Sequence, residues 1–419
     1  MNENQKLLTY LGAITDAKHP ADLLNAWLNT EGSLKNYFSI VSLPEYNKSV
    51  LPNSLIELIN DPNNVFVPYF NSDNLLFLDN QIINEMTSGK SVNVEFDYSI
   101  MFDSNFASYI HKFINGINLG SLTNLVYEII DKLLKGGFNY DFWFYIVENS
   151  KNILKKNGEE NSDLLDNLIS LELFRNIDSK DYLNKGILNY TISLEEAKDS
   201  AKSLMNDVYF SNSGKEFCDN IVLQQKACLL LLIGILKIEF GSKMGVKKKM
   251  NQYFQYIDET VGVYMDRESI VAHKYFEDRK NVKMLLSINK GGKQNSLFEK
   301  LNNIAWDFII PRFMERMLRA GQGRGLIPIF LSFDVKLIEL LNMYSVKGVV
   351  FNMEGPEFIP VPNTNSYEYY QNHGMKLDFE HFQDRINFEN RRQVFLENCH
   401  NEFSIIDKEF EELLSIMEN

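Results

Sequence analysis

The chain has 419 residues, 45% of them hydrophobic and 13% aromatic, with a net charge of −14 and only three cysteines. That apolar content excludes a disordered chain, and the length exceeds one ordinary core. Cys218, Cys228 and Cys399 are odd in number and lack metal-type spacing, which argues against a disulfide framework or zinc site and suits a reducing cytosol. No secretory signal is legible at the start, and the longest apolar run, 227–235, is too short for a bilayer, so a cytoplasmic protein without a membrane partner is expected. The acidic balance is uneven. Between positions 243 and 324 sixteen Lys and Arg face nine Asp and Glu, leaving −21 for the remainder. Such a segment can serve as a local polyanion-binding face or simply as solvated helix surface.

Residues 1–90 read as an α+β region, with a helix over 21–28 after Pro20 and strands at 38–43, 65–70 and 75–78. Residues 92–102 alternate and then become apolar, as a strand entering a sheet does. A helix over 106–113 follows, with Ser104 or Asn105 as its cap. Helical patterns then occupy 122–134, 142–154, 163–174, 194–209, 224–240, 247–264, 269–276 and 297–318, the last interrupted by Pro311, where a kink or restart is expected. The aromatic run 142–145 suits a helix core. After the glycine-rich turn 321–325 come a strand (326–333), a helix (335–343) and a strand (348–352), a β-α-β unit whose strands should be parallel. A turn-rich piece (354–370) and a charged helix (388–417) complete the chain.

Three aspartates stand where carboxylates are costly. Asp103 and Asp334 each follow a buried strand, the position where open α/β sheets place their chemistry, and Asp307 interrupts an apolar helical pattern. Sharing a hard cation such as Mg2+ or Mn2+ would offset that cost. The structural alternatives are N-caps for Asp103 and Asp334, and a salt bridge from Asp307 to Arg312 or Arg316. The turn 321–325 lacks the Lys-Ser/Thr of a phosphate loop and reads as a flexible turn, in which Arg324 could touch phosphate. Lys247, Lys248 and Lys249 fit a solvated face. The six histidines show no metal spacing, and no Gly-x-Ser-x-Gly elbow exists.

Ile100-Met101-Phe102-Asp103-Ser104-Asn105, Ala305-Trp306-Asp307 and Leu331-Ser332-Phe333-Asp334 together resemble the PIN-like nuclease superfamily. There, an aspartate ends the first strand before a Thr- or Ser-Asn pair, a later acid lies on a helix, and a final Asp follows a Thr- or Ser-containing strand. The resemblance implies an α/β fold with a PIN-like parallel sheet core (91–116 and 297–352), a large mainly helical insertion (117–296), the N-terminal α+β region and a C-terminal extension (353–419) ending in a helix. It implies a Mg2+- or Mn2+-dependent nuclease acting on nucleic acid, RNA favoured, with Asp103, Asp307 and Asp334 as metal ligands. For the remaining acid, Glu148 is the first choice and Glu268 the second; Asn105, Ser332, Arg312 and Arg324 would contact substrate. The long segment between Asp103 and Asp307 departs from the family's compact domain. By analogy the chain would be a toxin or phage-defence effector, with a homo-oligomeric or regulatory protein partner left open. The competing reading is a non-catalytic helical scaffold or adaptor with a degenerate α/β core.

Overall fold

The computed structural model describes residues 3–45, 51–70, 72–90, 94, 96–150, 161–291, 296–319, 325–355, 357–363, 365–375 and 384–418. The fold is mixed α/β and mainly helical, with two four-stranded sheets. It divides into two compact units: Met1–Cys218 with Phe313–Val335 and Ser345–Asn363, and Asp219–Arg312 with Lys336–Tyr344 and Thr364–Asn419. The expected separate region 1–90 is thus part of the first unit, because its strands pair with strands from beyond position 324.

The strands are β1 Tyr37–Ser42, β2 Phe66–Pro68, β3 Leu75–Leu78, β4 Phe96–Phe102, β5 Tyr140–Asp141, β6 Gly325–Leu331, β7 Val346–Asn352 and β8 Phe358–Pro362. All belong to the first unit. One sheet runs β3-β1-β7-β8 and is antiparallel throughout. Every residue of β1 is buried, as suits a strand paired on both edges. The other sheet runs β2-β6-β4-β5, with β4 parallel to both β6 and β5. The expected parallel pairing of the strands on either side of helix 335–343 does not form. β7 enters the antiparallel sheet beside β1, while β6 takes β4 as its parallel partner over seven residues, Phe96 opposite Gly325 to Phe102 opposite Leu331.

The helices of the first unit are α1 Glu3–Asp16, α2 Pro20–Leu28, α3 Asn53–Ile59, α4 Asn80–Thr87, α5 Ser104–Ile114, α6 Thr123–Gly136, α7 Trp143–Glu148, α8 Ser162–Arg175, α9 Ser179–Lys185 and α10 Leu194–Tyr209. The expected helix 142–154 closes at Glu148, and residues 151–160 lie outside the described part of the chain. Phe142, Phe144 and Tyr145 are buried, as a helix-core reading requires.

Next come α11 Asn212–Gly241, α12 Val246–Tyr256, α13 Asp266–Glu277, α14 Leu297–Arg319 and α15 Val335–Asn342, then α16 Ser366–Asn372, α17 Arg385–His400 and α18 Ile405–Glu418. α11 is far longer than its apolar run, and by length and composition it is the one described helix able to cross a membrane; 67% of its most apolar window is buried within the protein, as in a core helix. α14 runs through Pro311 without restarting. The expected helix 247–264 ends in a π-helical turn, Ile257–Val261, closed by Gly262 at φ 79°. A Cβ on Gly262 would stand 2.3 Å from the Phe395 backbone nitrogen, so glycine is required there for both angle and space. The single charged helix expected over 388–417 is two helices, separated where Glu402 and Phe403 take positive φ of 50° and 58°. Strand β8 and α16 occupy most of what reads as a turn-rich piece.

Candidate functional site

Strands β4 and β6 finish side by side. Phe102 lies opposite Leu331, and the Asp103 N–H donates to the Leu331 carbonyl at 3.2 Å. Asp103 and Ser332, the next residue on each chain, therefore emerge together at the carboxyl edge of the parallel strands. Asp103 is the N-cap of α5, in place of the expected Ser104 or Asn105: its Oδ1 accepts the Phe106 N–H at 2.5 Å. Its Oδ2 accepts the Ser332 hydroxyl at 2.5 Å, and Ser332 Oγ accepts the Asp334 N–H at 3.1 Å. The turn after β6 is thereby folded against the turn after β4.

A second carboxyl arrives from α7. Ser104, first residue of α5, donates its hydroxyl to Glu148, and the Asn149 side-chain amide reaches Ser104 Oγ at 3.5 Å. Core packing delivers Glu148 to this place: Phe144, on the same short helix, meets the rings of Phe313 and Phe330 edge-on at 5.5 and 5.3 Å. The Tyr209 hydroxyl also holds the Ile146 carbonyl.

Burial pushes the Asp103 carboxyl up to about 6; the Ser332 and Phe106 hydrogen bonds oppose that rise and the Asp334 charge adds to it. Burial likewise pushes Glu148 up to about 7, against the Ser104 hydrogen bond, with the charge on Asp103 contributing. Asp334 is exposed. These three carboxylates thus feel one another in pairs across a lining of serine hydroxyls. Other buried carboxylates here are matched by cations: Glu268 by Arg312, Glu172 by Arg175, Glu409 by Lys237, Asp61 by Lys132. Among the described residues neither Asp103 nor Glu148 forms an ion pair with Lys or Arg.

No family model, curated protein or solved structure matches this chain. The PIN-like resemblance therefore rests on the three motifs themselves.

Of the residues those motifs single out, Asp103, Glu148, Ser332 and Asp334 come together in the first unit, and Asn105 stands exposed in the first turn of α5 beside them. The others are placed differently. Asp307 lies half-buried on α14 within the second unit. Glu268, also in the second unit, is only 2% exposed and is gripped by the Arg312 fork, Nη1 to Oε1 at 2.5 Å and Nη2 to Oε2 at 2.6 Å. Burial opposes its ionisation, yet the Arg312 guanidinium, with Arg267 behind it, holds the carboxyl below the usual range. An ion pair of this kind explains both residues structurally, so neither Glu268 as a ligand nor Arg312 as a substrate contact is supported. Among the described residues no three His, Cys, Asp or Glu side chains are placed to hold a metal ion, so the larger carboxylate set expected from the sequence is not assembled. Arg324 lies outside the described residues.

The basic segment 243–324 is also largely engaged in its own fold. Lys249 pairs with Glu239, Lys283 with Glu339, and Arg279 holds the Ile288 carbonyl and the Asn289 side chain. Lys247 and Lys248 are exposed.

Sequence reasoning missed Asp141. It ends β5 at the same edge as Asp103, and burial lifts its carboxyl to about 6, against the Trp143 N–H bond and the Arg175 charge. The available signal was the same one that marked Asp103: an aspartate directly after a strand and before a helix.

Proposed function

We propose that the first unit hydrolyses phosphodiester bonds in nucleic acid, RNA by preference, with a divalent cation at the carboxyl edge of β4 and β6. The observation that carries this reading is the pair Asp103 and Glu148: two adjacent carboxyls from different elements, both raised in pKa by burial, with no cationic side chain among the described residues paired to either. The donor set suits a hard ion, since carboxylate and hydroxyl oxygens are what Mg2+ and Mn2+ prefer. Two carboxylates are enough for Mg2+, which typically keeps several waters and takes further oxygens from a phosphate substrate. Such an ion would supply phosphate charge neutralisation and an acidified water.

The chain's own contribution is placement. Asp103 is locked by its cap and by Ser332, so its carboxylate orientation is set before substrate arrives. Glu148, poised near neutrality, can exchange a proton with a reacting oxygen. Asp334 and Asn105, each two residues beyond Ser332 and Asp103, are exposed.

The test is hydrolysis of labelled single-stranded RNA and DNA by the full chain in Mn2+, compared with Asp103→Asn and Glu148→Gln. Loss of cleavage in both variants supports the reading; unchanged cleavage in either rejects that residue's role. A scaffold would show neither cleavage nor carboxylate-dependent stabilisation by Mn2+.

A further inference from the structure

Beside the paired carboxyls stands an aromatic feature that neither the cap geometry nor the acid chemistry uses. Phe333 lies between Ser332 and Asp334. Its ring is met edge-on at 5.4 Å by the fully buried Phe106, whose N–H donates to the capping carboxyl of Asp103. On its other side, Tyr109 of α5 leans against Phe333, with ring centroids 5.8 Å apart and planes inclined by 36°. Both rings are partly exposed. The Lys112 ammonium stands 5.7 Å from the Tyr109 centroid, one turn further along the same helix.

We infer that Tyr109 and Phe333 form a stacking platform for an unpaired nucleobase, with Lys112 beside them to meet a neighbouring phosphate. The inference rests on the hydrolase reading for its ligand class and adds the residues that select single strands. An aromatic face accepts any base but requires that base to be unstacked, so the platform discriminates against a duplex without reading sequence. Its anchorage supports the role. Phe106 fixes Phe333 from beneath, and both ring-bearing segments grow out of the turns that position Asp103, so a stacked base would be registered to the carboxyl edge. Lys112 supplies local positive charge where Asp103, Glu148 and Asp334 otherwise repel a polyanion.

The experiment uses single-stranded oligonucleotides of RNA and DNA carrying 2-aminopurine, whose fluorescence falls on stacking, in EDTA so that hydrolysis does not intervene. Wild type and Tyr109→Phe should quench the probe and bind alike. Tyr109→Ala should lose the quench and bind about tenfold more weakly. Phe333→Leu, which keeps an apolar side chain against Phe106, should fall in the same direction. An abasic strand and a duplex should each bind more weakly than the intact single strand. Equal affinity of Tyr109→Ala and wild type, or of the abasic and intact strands, overturns the platform. If Mn2+-dependent cleavage is absent while the quench persists, the hydrolase reading falls and the platform stands. If cleavage occurs and Tyr109→Ala alters neither quench nor affinity, the platform falls and the hydrolase stands.

Discussion

Ser332 donates its hydroxyl hydrogen to Asp103 at 2.5 Å, joining two residues 229 positions apart at the ends of parallel neighbouring strands. That one bond ties the turn after β6 to the cap of α5, so the edge of the sheet and the first turn of the helix share a single anchor.

Stability and activity should separate at Asp103. Asp103→Ala removes the cap acceptor and the Ser332 partner together, and should lower unfolding free energy by about 1–2 kcal/mol in a urea titration. Asp103→Asn keeps an oxygen for the Phe106 N–H and can donate its amide to Ser332 Oγ. Its midpoint should lie close to wild type while Mn2+-dependent cleavage is lost. A large destabilisation by Asn would mean that the negative charge itself supports the fold.

In the metal-free protein, Asp103 and Glu148 should contribute a loss of stability as pH rises from about 4 to 7. Glu148 and Asp103 have folded pKa values near 7 and 6, against model values of 4.5 and 3.8, so across this window the folded state binds more protons than the unfolded one. Their contribution is complete below the unfolded pKa and disappears as pH passes through the folded pKa. Glu148→Gln should flatten this slope. Thermal midpoints across the range provide the measurement, and an unchanged slope would contradict the assignment.

His273 should act with the opposite sign. It is buried beside Tyr369, whose hydroxyl is 2.9 Å from its Nδ1. Burial lowers its pKa to about 4 from 6.5, against the pull of Glu277 and with repulsion from His373 and Lys274. The unfolded chain therefore binds the extra proton, so stability from this residue is present above pH 6.5 and is lost as pH falls toward 4. His273→Asn retains a polar partner for Tyr369 and removes the titration; its acid transition should shift to lower pH in a circular-dichroism titration.

The Arg312–Glu268 pair should be a pillar of the second unit. Glu268 is 2% exposed, so Arg312→Leu leaves a buried carboxylate without its partner and should cost about 3–5 kcal/mol. Replacing both residues by leucine should recover a substantial part of that loss. A double-mutant cycle in denaturant measures it, and additive losses would show that the two side chains act independently.

Much of the local structure was legible along the chain. The strands at 38–43 and 75–78, the helices near 163–174 and 194–209, and the carboxylates Asp103 and Asp334 at strand ends all announce themselves by periodicity, capping chemistry or abrupt polarity. Glu148 lies against Ser104 at the start of α5, because an acid following an apolar stretch points inward when that stretch is core. Glu268, read as a further acid of the site, is instead matched by Arg312. A carboxylate in an apolar pattern signals that something must compensate its charge, but an arginine forty-four positions away does this as well as a metal does, and local pattern cannot tell the two apart.

What the amino-acid order determined by itself is where elements begin and end, and which positions carry a charge that burial would penalise, since these depend on residues within a turn or two of each other. Which strand lies beside which was decided by the tertiary structure alone. β6 chose β4 rather than β7 because sheet pairing satisfies backbone groups between segments hundreds of residues apart, and only that pairing brings Ser332 to Asp103.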